Sequence, residues 1–162
     1  MAETASKNSR SKLLYTPDQR ARRDETVWTM VQGILAPLQF LVFAVSLVLV
    51  LRFMMTGEGL WLATVSVVVK TGFLYAIMVT GAIWEKIVFG QYLLAPAFFW
   101  EDVFSFVVIA LHTAYLWALF SGAPVEIQMW IALAAYAAYV VNAAQFVLKL
   151  RAARLQASVV PA

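Results

Sequence analysis

Three acidic residues lie where an apolar chain tolerates charge least. Glu85 falls at the end of one long apolar run, and Glu101 with Asp102 falls at the start of the next. Ionisable groups in or beside membrane spans are costly, so they commonly mark a site or a polar pathway. Because crowded, partly desolvated carboxyl groups disfavour one another's charged form, we expect one of the three to stay protonated at neutral pH and act as a general acid. The structural alternative is that Glu101 and Asp102 only stabilise the positive end of the helix that they begin.

The single histidine of the chain, His112, follows Glu101 by eleven residues. Helical residues advance by about 100° each, so Glu101, Ser105 and His112 share one stripe, whereas Asp102 can face a different neighbour. Imidazole carries protons near neutral pH and is a common metal ligand. Two functional roles are therefore open to His112, a proton carrier and an axial ligand to the metal of a pigment. The structural alternative is a hydrogen bond to a main-chain carbonyl.

Two lysines accompany the acids along the second apolar run. Lys70 lies near its middle, too deep to reach the headgroups easily, so it is expected to face other helices. An ion pair within the protein and the binding of an anionic group on a ligand are both open to it. Lys86 lies at the membrane border, where its side chain can extend to the headgroups or bind the same kind of anionic group.

Amide and indole side chains are predicted at the same depth as the acids. Gln32, Asn142 and Gln145 fall in the corresponding halves of the first and last apolar runs. Amides at such positions commonly join helices, and here they can also line a site. Trp84 and Trp100 flank the acids, and they fit either an interfacial belt or the walls of a site for a flat aromatic ligand.

The composition of the chain predicts an integral membrane protein. Its 162 residues are 63% hydrophobic and 13% charged, and the charged fraction is about half that of a typical soluble domain. Four apolar blocks each reach the ~20 residues that a helix needs to cross a bilayer, and helices are expected because lipid cannot satisfy exposed backbone groups. The sequence therefore predicts an all-α bundle of four transmembrane helices. The predicted spans are about 27–54, 60–84, 98–120 and 127–148.

The ends of the chain set the predicted topology. A disordered polar tail over 1–15, a transmembrane domain over 16–154 and a short tail over 155–162 are expected. Basic residues cluster before the first span and after the last, so the positive-inside rule places both termini in the cytoplasm. These clusters are interpreted as topology and headgroup contacts, and no nucleic-acid partner is expected. The absence of cysteine excludes disulfides and thiolate chemistry. Thr16, Pro17 and Gln19 form a predicted helix start with a capping box.

Several distinctive stretches resemble a known family. The chain is similar to the 2-vinyl bacteriochlorophyllide hydratases (BchF) of phototrophic bacteria from about Tyr15 to Arg154. Charged motifs in such apolar surroundings rarely arise by chance. The stretches that carry the resemblance are Arg22-Arg23-Asp24, Val27-Trp28-Thr29, Val31-Gln32-Gly33-Ile34-Leu35-Ala36-Pro37-Leu38-Gln39-Phe40, Trp84-Glu85-Lys86-Ile87-Val88-Phe89-Gly90, Ala95-Pro96-Ala97-Phe98-Phe99-Trp100-Glu101-Asp102-Val103-Phe104-Ser105, Leu111-His112-Thr113-Ala114-Tyr115 and the ending from Ala143 to Arg154.

The resemblance implies a membrane-bound lyase of bacteriochlorophyll a biosynthesis. Such an enzyme adds water to the C3-vinyl group of chlorophyllide a or 3-vinyl bacteriochlorophyllide a and forms the 3-(1-hydroxyethyl) product. No separate cofactor is implied, because the magnesium belongs to the chlorin substrate. The implied location is the bacterial inner membrane or the intracytoplasmic photosynthetic membrane. Since one four-helix unit is small for a macrocycle, we expect the pigment in a lipid-facing groove or at a subunit interface, in a homo-oligomer or with other pigment-biosynthesis enzymes.

The chemistry of vinyl hydration suggests roles for the polar residues. Glu101 or Glu85 would protonate the vinyl group, and Asp102 would be the ionised partner that orients water and offsets positive charge. General acid–base catalysis of this kind contributes about 10²–10⁴-fold. His112 would ligate the substrate magnesium or relay the proton. Lys86, or Lys70 if the substrate reaches inward, would pair with the substrate propionate.

Two other classes of function use the same residues. A non-enzymatic pigment carrier or assembly factor would use the site and the histidine without chemistry. A proton or small-solute conduit would also need intramembrane ionisable groups, but the chain has no inverted repeat of the kind that many transporters have.

Overall fold

The computed structural model describes residues 13–159, which form α-helices joined by short connections and contain no strand. The four long helices are each apolar enough and long enough to cross a membrane. The predicted all-α class is thereby confirmed, with the predicted number of helices that could cross a membrane, while the cytoplasmic location of the termini stays a prediction. The helices are α1 Pro17–Glu25, α2 Val27–Thr56, α3 Leu60–Phe89, α4 Phe99–Phe120 and α5 Val125–Val159.

The helices begin and end at local signals in the sequence. Thr16 caps α1, and the predicted capping box with Gln19 is present, with Pro17 in the first turn. Thr26 ends α1 and caps α2 through a bond from the Trp28 amide, so the surface helix and the first span are separate elements. Gly90 ends α3 with φ of 88°, in the left-handed region that glycine adopts most easily.

Two of the helices extend beyond the predicted spans. The second span continues past residue 84 to Phe89, because the charges of Glu85 and Lys86 do not interrupt its hydrogen-bonded backbone. The last helix extends to Val159 and not to 148, so most of the predicted tail over 155–162 is helical. The predicted disorder of 1–15 lies mostly outside the described residues, but Tyr15 is buried against the protein.

Two helical hairpins make up the bundle. The most extensive contacts join α2 to α3 and α4 to α5, while α3 with α4 and α2 with α5 close the ring. Short connections make successive helices antiparallel. Small fully buried residues such as Ala63, Ala132 and Ala135 allow the helices to approach closely in the core.

The bundle is apolar outside and partly polar inside. Large side chains such as Val48, Trp61 and Phe120 are exposed on its outer surface. Such a surface is suited to contact with lipid. If it were exposed to water, it would be a continuous apolar patch that promotes aggregation. Buried polar groups must therefore find their partners within the protein.

Candidate active site

The predicted acids meet at one end of the bundle. This end contains the last turns of α3, the first turn of α4 and the second half of α5, since successive helices run in opposite directions. It also contains α1 and the beginning of α2. Glu85, Glu101 and Asp102 are all buried here, although each belongs to the part of its helix nearest the membrane border.

Glu85 and Asp102 form a pair of interacting carboxyl groups. Their side chains contact each other across the junction of α3 with α4, and both are at least 95% buried. Two carboxyl groups can share a hydrogen bond only when one of them carries a proton. This carboxyl pair therefore combines a proton donor and a proton acceptor in one place, as acid–base chemistry requires.

The connection between α3 and α4 holds the carboxyl pair through its backbone. The Leu94 amide donates to Asp102 Oδ2 at 2.7 Å, and the Ala95 amide donates to Glu85 Oε2 at 3.3 Å. Leu94 has φ of 60°, a left-handed conformation that is unusual for leucine. Such strain persists only where the surroundings enforce it, and it clusters at functional sites.

Substitutions of Leu94 are expected to test this strained connection. Leu94→Gly should keep or raise thermal stability, because glycine adopts the left-handed region freely and the leucine side chain is partly exposed. Leu94→Val should lower stability by about 1 kcal/mol, since a β-branched residue fits this region poorly. Thermal unfolding of both detergent-purified variants, followed by circular dichroism, measures the difference. A less stable glycine variant would contradict the strain argument.

Glu101 has a different partner from Asp102, as the helical periodicity predicts. Its Oε2 lies 2.9 Å from Lys149 Nζ, and the same ammonium group donates to the Ala97 carbonyl at 2.6 Å. The side chain of Lys149 is 27% exposed and that of Glu101 only 7%. Glu101 is therefore one half of a mostly buried ion pair and does not belong to the carboxyl pair.

Lys149 was missed as a site residue by the sequence reasoning, which assigned it to membrane topology. A periodic signal was present: Asn142 and Lys149 are seven residues apart, so both lie on the stripe of α5 that faces α4. Asn142 Nδ2 donates to Ser105 Oγ at 2.8 Å, and Ser105 Oγ donates to the Glu101 carbonyl at 2.8 Å. Asn142 is thus joined through Ser105 to the backbone of Glu101.

The other predicted amides lie at the same end but make different contacts. Gln32 Nε2 donates to Thr80 Oγ1 at 2.6 Å and joins α2 to α3. Gln145 is half-buried, and its Oε1 has no hydrogen-bond partner within residues 13–159. Neither contacts the carboxyl pair through a described hydrogen bond. Gln32 fits the structural alternative of a helix-joining amide.

The two predicted tryptophans have different environments. Trp84 Nε1 donates to Thr29 Oγ1 at 2.9 Å, and its ring packs edge-on against Phe89 and Phe98. Trp84 therefore belongs to a structural aromatic cluster under the connection. Trp100 is 65% exposed at the edge of the site and is free to contact a ligand.

The segment before α1 closes this aromatic cluster from the outside. The Tyr15 ring stacks on Phe89 with centroids 5.8 Å apart, and the Arg23 guanidinium lies 4.8 Å from the centre of the Tyr15 ring. Burial raises the pKa of the Tyr15 phenol, so the ring stays neutral at physiological pH. Lys86, by contrast, is exposed and donates to the Gly90 carbonyl at 2.9 Å.

His112 and Lys70 lie at a deeper level than the carboxyl groups. His112 follows Glu101 by eleven residues and Lys70 precedes Glu85 by fifteen, which places them about 16 Å and 22 Å away along their helices. His112 Nδ1 lies 2.8 Å from the Val108 carbonyl, and Lys70 Nζ lies 3.7 Å from the centre of the Tyr139 ring. The carboxyl groups therefore lie at one level of the bundle and His112 and Lys70 at another, because the helical rise separates them.

These features define a class of protein: a helical bundle that has four helices long and apolar enough to cross a membrane and a pair of carboxyl groups buried at one end. Comparison with known proteins gives the family. Residues 15–152 match the family model of 2-vinyl bacteriochlorophyllide hydratase (BCHF), and the chain belongs to that family.

Two curated relatives support the assignment, and both carry the name 2-vinyl bacteriochlorophyllide hydratase. The protein from Rhodobacter capsulatus is 72% identical over 151 residues, which cover 93% of this chain and 88% of the relative. The protein from Cereibacter sphaeroides is 75% identical over 142 residues, which cover 88% of this chain and 89% of the relative. No solved structure matches the chain.

Proposed function

We propose that this protein is a hydratase that adds water to the vinyl group of chlorophyllide a or 3-vinyl bacteriochlorophyllide a, in bacteriochlorophyll a biosynthesis. The product carries a 1-hydroxyethyl group in place of the vinyl group. The observation that carries the mechanism is the buried carboxyl pair of Glu85 and Asp102, held by two backbone amides. Membership of the hydratase family supports the reaction itself.

The reaction needs one proton donor, one proton acceptor and one water molecule. The protonated member of the carboxyl pair gives its proton to the terminal vinyl carbon, and the π electrons form the new C–H bond. The positive charge left on the carbon beside the ring is delocalised into the macrocycle. Water then forms a C–O bond to that carbon and gives a proton to the carboxyl pair. The pair ends with one proton, as it began, and the net change is the addition of water.

The hydrogen bonds from the connection support a division of roles within the pair. The bond from the Leu94 amide to Asp102 is 2.7 Å long, while the bond from the Ala95 amide to Glu85 is 3.3 Å long. A short N–H bond stabilises an ionised carboxylate most strongly. We therefore assign Asp102 as the carboxylate that orients water and Glu85 as the acid that protonates the vinyl group. Glu101 is paired with Lys149 and is the weaker candidate for the acid.

An aromatic rim supports the docking of a flat substrate next to the carboxyl pair. The rim consists of Tyr92, Phe99 and Trp100, which are exposed on and beside the connection that holds the pair. A macrocycle that lies on these rings would bury apolar surface on one face and meet lipid on the other. Lys86 is exposed nearby and suits the substrate propionate, whereas Lys70 is too deep for that role.

The charge distribution supports a cytoplasmic location for the site. The basic residues of α1 and of the end of α5 lie at the same end of the bundle as the carboxyl pair. By the positive-inside rule that end faces the cytoplasm. The membrane would be the bacterial inner membrane or its intracytoplasmic photosynthetic extension.

Direct assay of the purified protein tests the proposed function. Protein reconstituted in nanodiscs is incubated with a 3-vinyl chlorophyllide, and the product is followed by absorbance and by a mass increase of one water. Hydration that depends on the protein supports the hydratase. Pigment binding without a mass change would instead support a carrier. If the protein showed no binding and no turnover, both proposals would be wrong.

Replacement of His112 is expected to leave pigment binding intact. His112 is fully buried inside the bundle and about 16 Å along α4 from Glu101, a separation larger than the distance from the centre of a chlorin to its vinyl group. These facts favour an interior polar role over axial ligation of the substrate magnesium. Absorbance titration of His112→Leu with chlorophyllide should give the affinity and band positions of the unmodified protein. Weaker binding with a shifted band would establish ligation instead.

A further inference from the structure

Polar side chains continue from the carboxyl pair into the centre of the bundle. Ser105, Asn142, Lys70 and His112 are all at least 94% buried. Within residues 13–159, no hydrogen-bond partner contacts Asn142 Oδ1, Lys70 Nζ or His112 Nε2. An unbonded polar group in such an interior is costly, so groups of this kind commonly bind ordered water.

These residues follow one another through the buried interior of α3, α4 and α5. Asn142 donates to Ser105, which lies one helical turn from Glu101 and Asp102. Tyr139 precedes Asn142 by three residues on the same face of α5, and Lys70 Nζ lies over its ring. His112 packs against Tyr136, which precedes Tyr139 by three residues on α5, with ring centroids 5.9 Å apart. We call Ser105, Asn142, Tyr139, Lys70 and His112 the interior polar column.

We propose that the interior polar column binds water and supplies it to the carboxyl pair. Its free atoms include a donor, Lys70 Nζ, and an acceptor, Asn142 Oδ1, and water bonds to both kinds of group. A buried water molecule typically makes about three hydrogen bonds. Three elements, α3, α4 and α5, contribute the polar groups that such bonds require.

Water held in the column would be a reactant in vinyl hydration. Each turnover consumes one water molecule at the carboxyl pair. A macrocycle on the aromatic rim would cover the pair from outside the bundle, and lipid surrounds the rest of the bundle. Water must then reach the reacting carbon from the interior of the protein. This supply role rests on the proposed function, whereas the presence of water in the column does not.

The absence of cysteine from the chain permits a direct test. Single cysteines are introduced into the full-length protein in nanodiscs, and their reaction with Ag⁺, a small ion that reacts with ionised thiols in water, is timed by mass spectrometry. Ser105→Cys and Asn142→Cys probe the column. Val107→Cys and Val141→Cys are matched lipid-facing controls on the same helices, and Ala132→Cys is a control in the dry core.

The expected result is that both column cysteines react at least about tenfold faster than all three controls, because a thiol ionises only where water reaches it. Either column variant alone suffices if the other fails to fold. Column cysteines as slow as Val107→Cys and Ala132→Cys would overturn the proposal. This readout needs no substrate, so a failure of the hydration assay leaves it intact.

A second measurement tests the supply role. Asn142→Leu replaces the amide with an apolar group of similar size and is expected to lower kcat severalfold while KM for the pigment stays constant. Ser105→Cys should then also react more slowly with Ag⁺ in an Asn142→Leu background. Unchanged kcat in a folded variant would overturn the supply role.

Discussion

Glu85→Gln and Asp102→Asn are each expected to reduce the hydration rate by about 10²–10⁴-fold, the usual contribution of general acid–base catalysis. Both amides keep the size of the carboxyl group and accept a hydrogen bond from the loop amides, so the bundle should still insert and fold. The loss should appear in kcat, because neither carboxyl group lies on the aromatic rim where we propose that the pigment docks. Stopped assays with a 3-vinyl chlorophyllide measure it.

Glu101→Gln is the matched control for this prediction. It removes a buried carboxylate of the same helix, only one residue from Asp102, but one that is paired with Lys149. Its effect on kcat should be much smaller than that of the other two variants. If Glu101→Gln abolished hydration while Glu85→Gln stayed active, the acid would be Glu101 and the division of roles would be wrong.

Lys149→Met is expected to give the second large effect, on stability. It leaves the buried Glu101 carboxylate without its cation, and breaking a fully buried ion pair costs about 3–5 kcal/mol. Because Lys149 is 27% exposed, water partly compensates and the expected loss is about 1–3 kcal/mol. The Ala97 carbonyl also loses its donor, which loosens the start of α4. Chemical unfolding in detergent measures the change.

The double variant Glu101→Gln/Lys149→Met isolates the ion pair. With both charges removed, no carboxylate is left unpaired, so the double variant should be more stable than Lys149→Met alone. Purely additive losses would mean that the two residues act independently, against the 2.9 Å contact between them.

Much of the fold follows from the sequence because lipid imposes simple rules. Apolar length alone predicts the four spans, and the Thr16-Pro17 pattern with Gln19 predicts the start of α1. Helical periodicity also predicts that Glu101 and Asp102 face different neighbours. These features depend on local spacing, which the sequence contains in full.

The errors arise where the outcome depends on partners. Glu85 and Lys86 resemble the end of a span, but α3 continues because Asp102 and the Ala95 amide accommodate Glu85 within the protein. In the sequence, Lys149 resembles one of the basic residues that set membrane topology. Only the structure shows that it pairs with Glu101. The left-handed Leu94 carries no sequence signature, since nothing but the surrounding contacts enforces it.

The depth of each polar group in the bundle is also hard to predict from helical periodicity, which gives the face of a helix but not the position along its axis. Glu101 and His112 share a stripe of α4, but residues on one stripe can lie far apart along the helix. Whether two residues meet depends on the rise along the helix axis as much as on the angle around it. Eleven helical residues extend for about half of the thickness of the bilayer core. The same consideration separates Lys70 from Lys86 and divides the predicted substrate-binding residues into two levels.

The groups that we propose react come from a short stretch of chain. Both carboxyl groups and both amides that hold them belong to residues 85–102. Contacts so local in sequence form early, so the chemical centre can assemble once α3 and α4 have entered the bilayer, while the ribosome is still synthesising α5. The last helix, α5, would then pack onto a centre that has already formed and would add the contacts of Lys149 and Asn142.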